Sequence, residues 1–264
     1  MNSVDLNVKI LYYPLMGTRV STERIILLAK LCYSPIGPDQ LQKLLLDDDP
    51  RLDEEAARFA RHLVQSGHHG ALEHWYTTFA VEGFSRISSQ QLDRHRIIKI
   101  FKDADVYVNE PLQASVDFSQ LQQSQRYVRE EAFRFIVPES ISRHPDLHAE
   151  YLDIQERIRR FQIKGKELDI PAEDLRFALS GATETRFVVT TNARQLRHIF
   201  NLRCCTRAQW EIRRLFETLL AEYKKIAPNI FYRSGASCDE LGYCTEGRFS
   251  CGRAPTREEM LGRV

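Results

Sequence analysis

Two hundred and sixty-four residues carry 37 Lys+Arg against 36 Asp+Glu, with 43% hydrophobic and 28% charged residues. That near-neutral balance excludes a domain that coats nucleic acid or an anionic membrane through bulk positive charge, and equally an acidic disordered tail. The cations are 28 Arg and only 9 Lys. Arginine clamps carboxylate and phosphate bidentately, so its placement carries the functional information.

In chain order, Ser21–Tyr33 reads as a helix with Ile25, Leu28 and Leu31 near one face, and Asp39–Leu46 as a second. Asp53–Gln65 is a third, opening with acidic residues that suit a helix N-terminus. Gly67-His68-His69-Gly70 breaks it. His74–Val81 spaces Trp75, Phe79 and Val81 as a strand does, and Ser85–Arg96 returns to a helical pattern. Phe133–Val137 reads as a strand ended by Pro138, and Pro145–Lys166 as a long helix with Pro in its first turn. Pro171–Leu179 begins another helix, Phe187–Thr191 is a β-branched strand, and Asn192–Leu202 is helical. Thr206–Ile226 has the clearest helical pattern. Thr206 and Gln209 have capping-box spacing, and Ile212, Leu215, Phe216, Leu219, Leu220 and Tyr223 form an apolar stripe that Pro228 ends. Helices with scattered strands predict an α+β fold in one domain, residues 1–264.

Neither an apolar run near the ~20 residues of a membrane helix nor a basic-then-apolar leader in Met1–Ile10 is present, so a cytoplasmic protein is expected. The six Cys include no C-x2-C pair. Cys238, Cys244 and Cys251, in the irregular segment 229–264, read as reduced thiols, and no metal site is expected. Dinucleotide-binding G-x-G-x-x-G, P-loop, H-E-x-x-H and G-x-S-x-G patterns are all missing. His68, His69 and His74 read as structural or exposed.

The arginines are grouped. Between Glu184 and Arg214 stand seven Arg, no Lys and two acids, Glu184 and Glu211. Arg194 and His198 share a helical face, and Arg203 and Arg207 sit at the junction to the next helix. Arg94-His95-Arg96 forms a second group. Arg126 and Arg129 form a third, behind the polar run Ser119-Gln-Leu121-Gln122-Gln-Ser124-Gln-Arg126. Cations set among Ser, Gln and Asn, without an activated nucleophile, describe a site for phosphorylated, hydrogen-bonding ligands. Arg213 and Arg214 read as surface residues.

These segments resemble the flavin-dependent thymidylate synthases, whose signature is R-H-R-x-x-S-x-N-x-x-S-x-R. Arg94-His95-Arg96 supplies its first half and Ser119–Arg126 its second. Leu72-Glu73-His74, Ser85-Arg86 through Gln91, Asn192–Arg203 and Ala208–Arg213 supply the surroundings, so the resemblance runs over about residues 70–230. The chain departs from the pattern in a 20-residue insertion, Ile97–Val116, between the signature halves. It also departs in Leu121 at the signature Asn, Gln122 where Glu is frequent, and Ser180 where Pro is common.

The resemblance implies an α+β fold with a central mixed or antiparallel sheet and several long helices. It implies conversion of dUMP to dTMP, with methylenetetrahydrofolate as carbon donor and NADPH as reductant through bound FAD. FAD would be held by Tyr76, Arg94, His95, Arg96, Gln122, Asn192, Arg194 and His198. dUMP would be held by Gln91, Arg94, Gln122, Ser124, Arg126, Arg176 and Arg203. Arg203, over the uracil edge, would be the catalytic residue by favouring ionisation at N3. Ser124 is expected to hydrogen-bond and not to act as a nucleophile, since no His or Lys lies near it in sequence. A homotetramer with shared active sites is implied, with neither membrane nor nucleic acid as partner. The alternative is a catalytically impaired nucleotide- or RNA-binding protein on the same scaffold.

Overall fold

The structure is a computed structural model and describes residues 3–14, 20–92, 118–126 and 133–262. Strand β1 (Asn7–Tyr12) is followed by a 3-10 helix (Thr22–Cys32), helices α1 (Pro38–Leu46) and α2 (Pro50–Gln65), and a 3-10 turn (His69–His74). Then come β2 (Tyr76–Ser85), α3 (Arg86–Ser89), β3 (Phe118–Gln122), α4 (Glu139–Ser142) and α5 (Pro145–Glu167). The remainder is α6 (Ala172–Leu175), β4 (Glu184–Asn192), α7 (Ala193–Arg203), α8 (Trp210–Ile226), α9 (Ser237–Leu241) and α10 (Arg257–Leu261). The strands form one antiparallel sheet in the order β1-β2-β4-β3, an α+β architecture.

Packing divides the chain into two compact units. The first comprises Met1–Lys9, Ala80–Arg94 and Gln120–Val189. Here Gly83 has φ +69°, and a Cβ would lie 1.8 Å from the Asp5 carbonyl oxygen, so only glycine allows β1 to approach β2 there. Its N–H donates to Glu184 Oε1 at 2.8 Å. Arg134 grips Glu184 with two nitrogens, at 2.7 and 2.6 Å, and reaches Glu82 at 3.3 Å. A buried carboxylate is tolerated because it is this fully partnered. Gln162 donates to the Leu175 carbonyl at 2.8 Å and Gly165 packs against the Leu175 side chain, which seats α6 on α5. Phe133–Val137 is not a strand. Phe135 makes single bridges to Ser3 and Thr183, because Pro138 cuts the pairing short.

The second unit comprises Ile10–Phe79, His95–Ser119 and Thr190–Val264. Its core is aromatic: Trp75 meets Tyr223 and Phe231 edge-on at 5.8 and 5.5 Å, and Phe200 meets Phe216 at 6.1 Å. Each such pair adds about 1 kcal/mol beyond area burial. All six residues of the α8 stripe are buried. The helix starts at Trp210, four residues later than expected. Gln209 alone caps it, its Oε1 accepting from the N–H groups of Glu211 and Ile212 at 3.0 Å each. Segment 22–32 is a 3-10 helix and not an α-helix, and it buries Glu23, Arg24, Ile26 and Leu27 while Leu31 is exposed. At three residues per turn, pairs 23/26 and 24/27 share a side. Glu23 accepts from Asn229 and Ile230, and Arg24 from its side donates to Asp53 at 2.6 Å.

Within the expected helix Ser85–Arg96, Arg86–Ser89 is helical and a turn runs through Leu92. The remainder of that stretch and the insertion Ile97–Val116 lie outside the described residues. Among the described residues no helix is long and apolar enough to cross a membrane.

Candidate functional site

In the second unit, the start of β2 and the first turns of α7 are fastened together. The Ala193 N–H donates to the Trp75 carbonyl at 2.9 Å. Glu73, on the turn before β2, pairs with Arg194. Thr78 and Thr190 join their hydroxyls at 2.9 Å. This brings together Tyr76, exposed at the head of β2, with Asn192, Arg194 and His198. Asn192 is fully buried and caps α7, its Oδ1 accepting from the Gln195 N–H at 2.9 Å. Arg194 and His198 follow at i and i+4 on one face. His198 is exposed at the surface of the chain, yet the packed protein beneath it lowers its pKa, which favours the neutral ring. Arg203 ends the helix, half-buried, and burial lowers its pKa too. A guanidinium stays charged at neutral pH even so. The site therefore offers an exposed phenol ring, an imidazole that can accept or donate, and two fixed cations.

Other residues of the arginine run have different work. Arg197 is buried and donates to the Ile230 and Tyr232 carbonyls at 3.0 and 2.9 Å and to Ser234 Oγ at 2.6 Å. It also pairs with Glu240. Its task is to fasten the segment after α8 onto α7.

In the first unit, Gln122 ends β3 and donates through Nε2 to Ser89 Oγ at 2.8 Å and to Thr185 Oγ1 at 2.9 Å. Both amide protons are thus spent within the protein. Ser124 Oγ accepts from the Arg126 N–H at 3.2 Å, which turns the chain so that Arg126 projects. Arg126 Nε sits 2.8 Å from Glu173 Oε2. Arg176 Nε donates to the Glu173 carbonyl at 3.1 Å. Two arginines distant in sequence thereby meet at one residue. Gln91 lies half-buried in the turn after α3, its N–H on the Ser88 carbonyl at 3.0 Å. Arg94, His95 and Arg96 lie outside the described residues.

A match to the protein family described as thymidylate synthase complementing protein covers residues 15–229, well over half of the chain. The chain belongs to that family. Among the curated relatives of this thymidylate synthase complementing family, the flavin-dependent thymidylate synthase of Clostridium tetani is 37% identical, over 88% of this chain and 89% of its own length. The protein of the same name from Geobacter sulfurreducens is 38% identical, over 87% and 88% respectively. That of Pyrococcus horikoshii is 38% identical, over 70% and 71%.

Two residues of this family member had no role assigned from the sequence: Glu73, which anchors Arg194, and Glu173, which anchors Arg126 and Arg176. Glu173 stands three residues before Arg176, a helical-turn spacing that was the available signal. Glu73 was legible only as part of Leu72-Glu73-His74; its pairing with Arg194, 121 positions away, left no local signal. The tail thiols hold no shared disulfide: all six Cys are free. Burial pushes Cys204 up to about 12, so that thiol stays protonated.

Proposed function

We infer that this protein is a flavin-dependent thymidylate synthase, converting dUMP to dTMP with methylenetetrahydrofolate as carbon donor and NADPH as reductant through bound FAD. The observation that carries this reading is the family match over residues 15–229, joined to α7, which sets Asn192, Arg194, His198 and Arg203 along a single helix. When bound, FAD relays the hydride; the protein's own residues bind, orient and polarise.

The residue types in the second unit fit FAD. Tyr76 offers an exposed aromatic surface, Arg194 a cation for phosphate oxygens, and His198 a neutral ring at hydrogen-bonding range of solvent. Asn192 orders the first turn of α7. Arg94, His95 and Arg96 complete the FAD set, and Gln122 is assigned to both ligands. dUMP is assigned to Gln91, Arg94, Gln122, Ser124, Arg126, Arg176 and Arg203. Arg126 and Arg176 suit a phosphate, since each guanidinium can present paired N–H donors to two oxygens. Arg203 is the catalytic group: a fixed cation at the uracil edge stabilises negative charge developing on the ring. Residues 1–264 are read as one catalytic domain acting as a homotetramer with shared active sites, in the cytoplasm.

The test is the absorption spectrum of the purified protein. A flavin spectrum is expected, bleached by NADPH and restored with formation of dTMP when dUMP and methylenetetrahydrofolate are added anaerobically. Colourless protein that cannot be loaded with FAD overturns the reading.

A further inference from the structure

The meeting of Arg126 and Arg176 at Glu173 has a chemical meaning beyond support. Glu173 offers each arginine a different oxygen: Oε2 to Arg126 at 2.8 Å and the main-chain carbonyl to Arg176 at 3.1 Å. A carboxylate in bonding contact with one arginine, and a carbonyl with the next, is the hydrogen-bond pattern a phosphate would make with both. The pair is accessible, with the Arg126 and Glu173 side chains 56% and 47% exposed. A half-exposed ion pair is weak and breaks readily. A phosphomonoester carries close to two negative charges at neutral pH and three acceptor oxygens, against one charge and two oxygens on Glu173. It therefore outcompetes the carboxylate, while a monoanion or a neutral nucleoside gains little.

We propose that Glu173 is a built-in stand-in for the nucleotide's phosphate, holding Arg126 until substrate displaces it, so that dUMP affinity is set by a competition inside the protein. This rests on the assignment of Arg126 and Arg176 to dUMP above. The exchange sets a threshold: only a ligand with a dianionic head group repays the broken Arg126–Glu173 contact. Asp174, the next residue, is exposed and carries the same charge. It therefore separates a direct contact from the general field of one negative charge.

The experiment is equilibrium binding of dUMP, and separately of inorganic phosphate, to the FAD-loaded protein at fixed low ionic strength. Glu173→Gln keeps the shape and removes the competing charge. The dUMP dissociation constant is expected to fall about two- to fivefold, the size of a half-exposed ion pair, with phosphate binding strengthened in proportion. Glu173→Ala should move both constants in the same direction, and Asp174→Asn should move neither. Unchanged or weaker dUMP binding in Glu173→Gln overturns the proposal, because Glu173 would then merely position Arg126. Equal tightening in Asp174→Asn also overturns it, because a long-range field would suffice. A wild-type protein that binds no dUMP overturns the substrate assignment itself, and this proposal with it.

Discussion

Gln122 illustrates how one side chain is committed by its neighbours. Its Nε2 donates to Ser89 Oγ, and Ser89 gives its own single proton to the Arg86 carbonyl at 2.8 Å. The Ser89 oxygen can therefore only accept from position 122, and a carboxylate there would face a lone pair. This accounts for Gln in a position where relatives of the signature often carry Glu, a point the pattern alone left open. Gln122→Glu is expected to cost about 1 kcal/mol of stability, the net worth of a hydrogen bond, seen as a lower midpoint in denaturant unfolding. Arg203 makes the opposite case. It is half-buried at a helix end, outside the set of α7 residues that the core buries. Arg203→Ala is expected to reduce kcat for dTMP formation at least ~100-fold, about 3 kcal/mol of transition-state stabilisation, with a thermal midpoint close to wild type. Turnover within tenfold of wild type would reject its catalytic role.

At the scale of elements, α7 does two jobs on two faces. One face carries Arg194 and His198 outward, and the other buries Leu196, Arg197, Ile199 and Phe200. Arg197→Met would leave Glu240, which Asn201 Nδ2 also reaches at 2.7 Å, without its cationic partner, and the Ile230 and Tyr232 carbonyls without that donor. Removing one partner of a buried pair costs about 3–5 kcal/mol. Equilibrium denaturation is expected to show a loss of that size, and a loss under 1 kcal/mol would mean the segment after α8 holds without this anchor. Long, strongly patterned helices were legible: α5 and α8 follow from Pro145 at the helix start and from the stripe Ile212–Tyr223. Strands β1 and β3 were not. Asn7–Tyr12 alternates only at Val8 and Ile10 before Leu11 breaks the period, and Phe118–Gln122 has just two apolar residues three apart, so pairing with neighbours supplies what these short runs lack. The face of segment 22–32 was misread because the 3-10 period replaces the α period.

Across the whole molecule, two histidines give stability a pH dependence. Burial lowers the pKa of His69, and likewise that of His198. The unfolded chain then binds protons below its ordinary histidine value, about 6.5, that the folded chain refuses, so stability is complete above that value and falls as pH drops below it. Thermal midpoints measured at pH 8 and at pH 5.5 are expected to differ in that direction, and His69→Gln should narrow the gap. A separate loss is expected only below the ordinary carboxylate value. There Glu82, held low by hydrogen bonds from Asn7 and Arg134, takes up a proton. At this scale the division between sequence and structure is plain. The sequence by itself determined the family, through an ordered set of motif segments, because residue types and their spacing are read directly along the chain. It also determined the long helices, whose periodicity is local. Only the tertiary structure decided which partner each arginine takes. Arg197 and Arg134 are held by buried acceptors and Arg126 by Glu173, and these partners lie tens of positions away, where charge and spacing along the chain leave no trace of them.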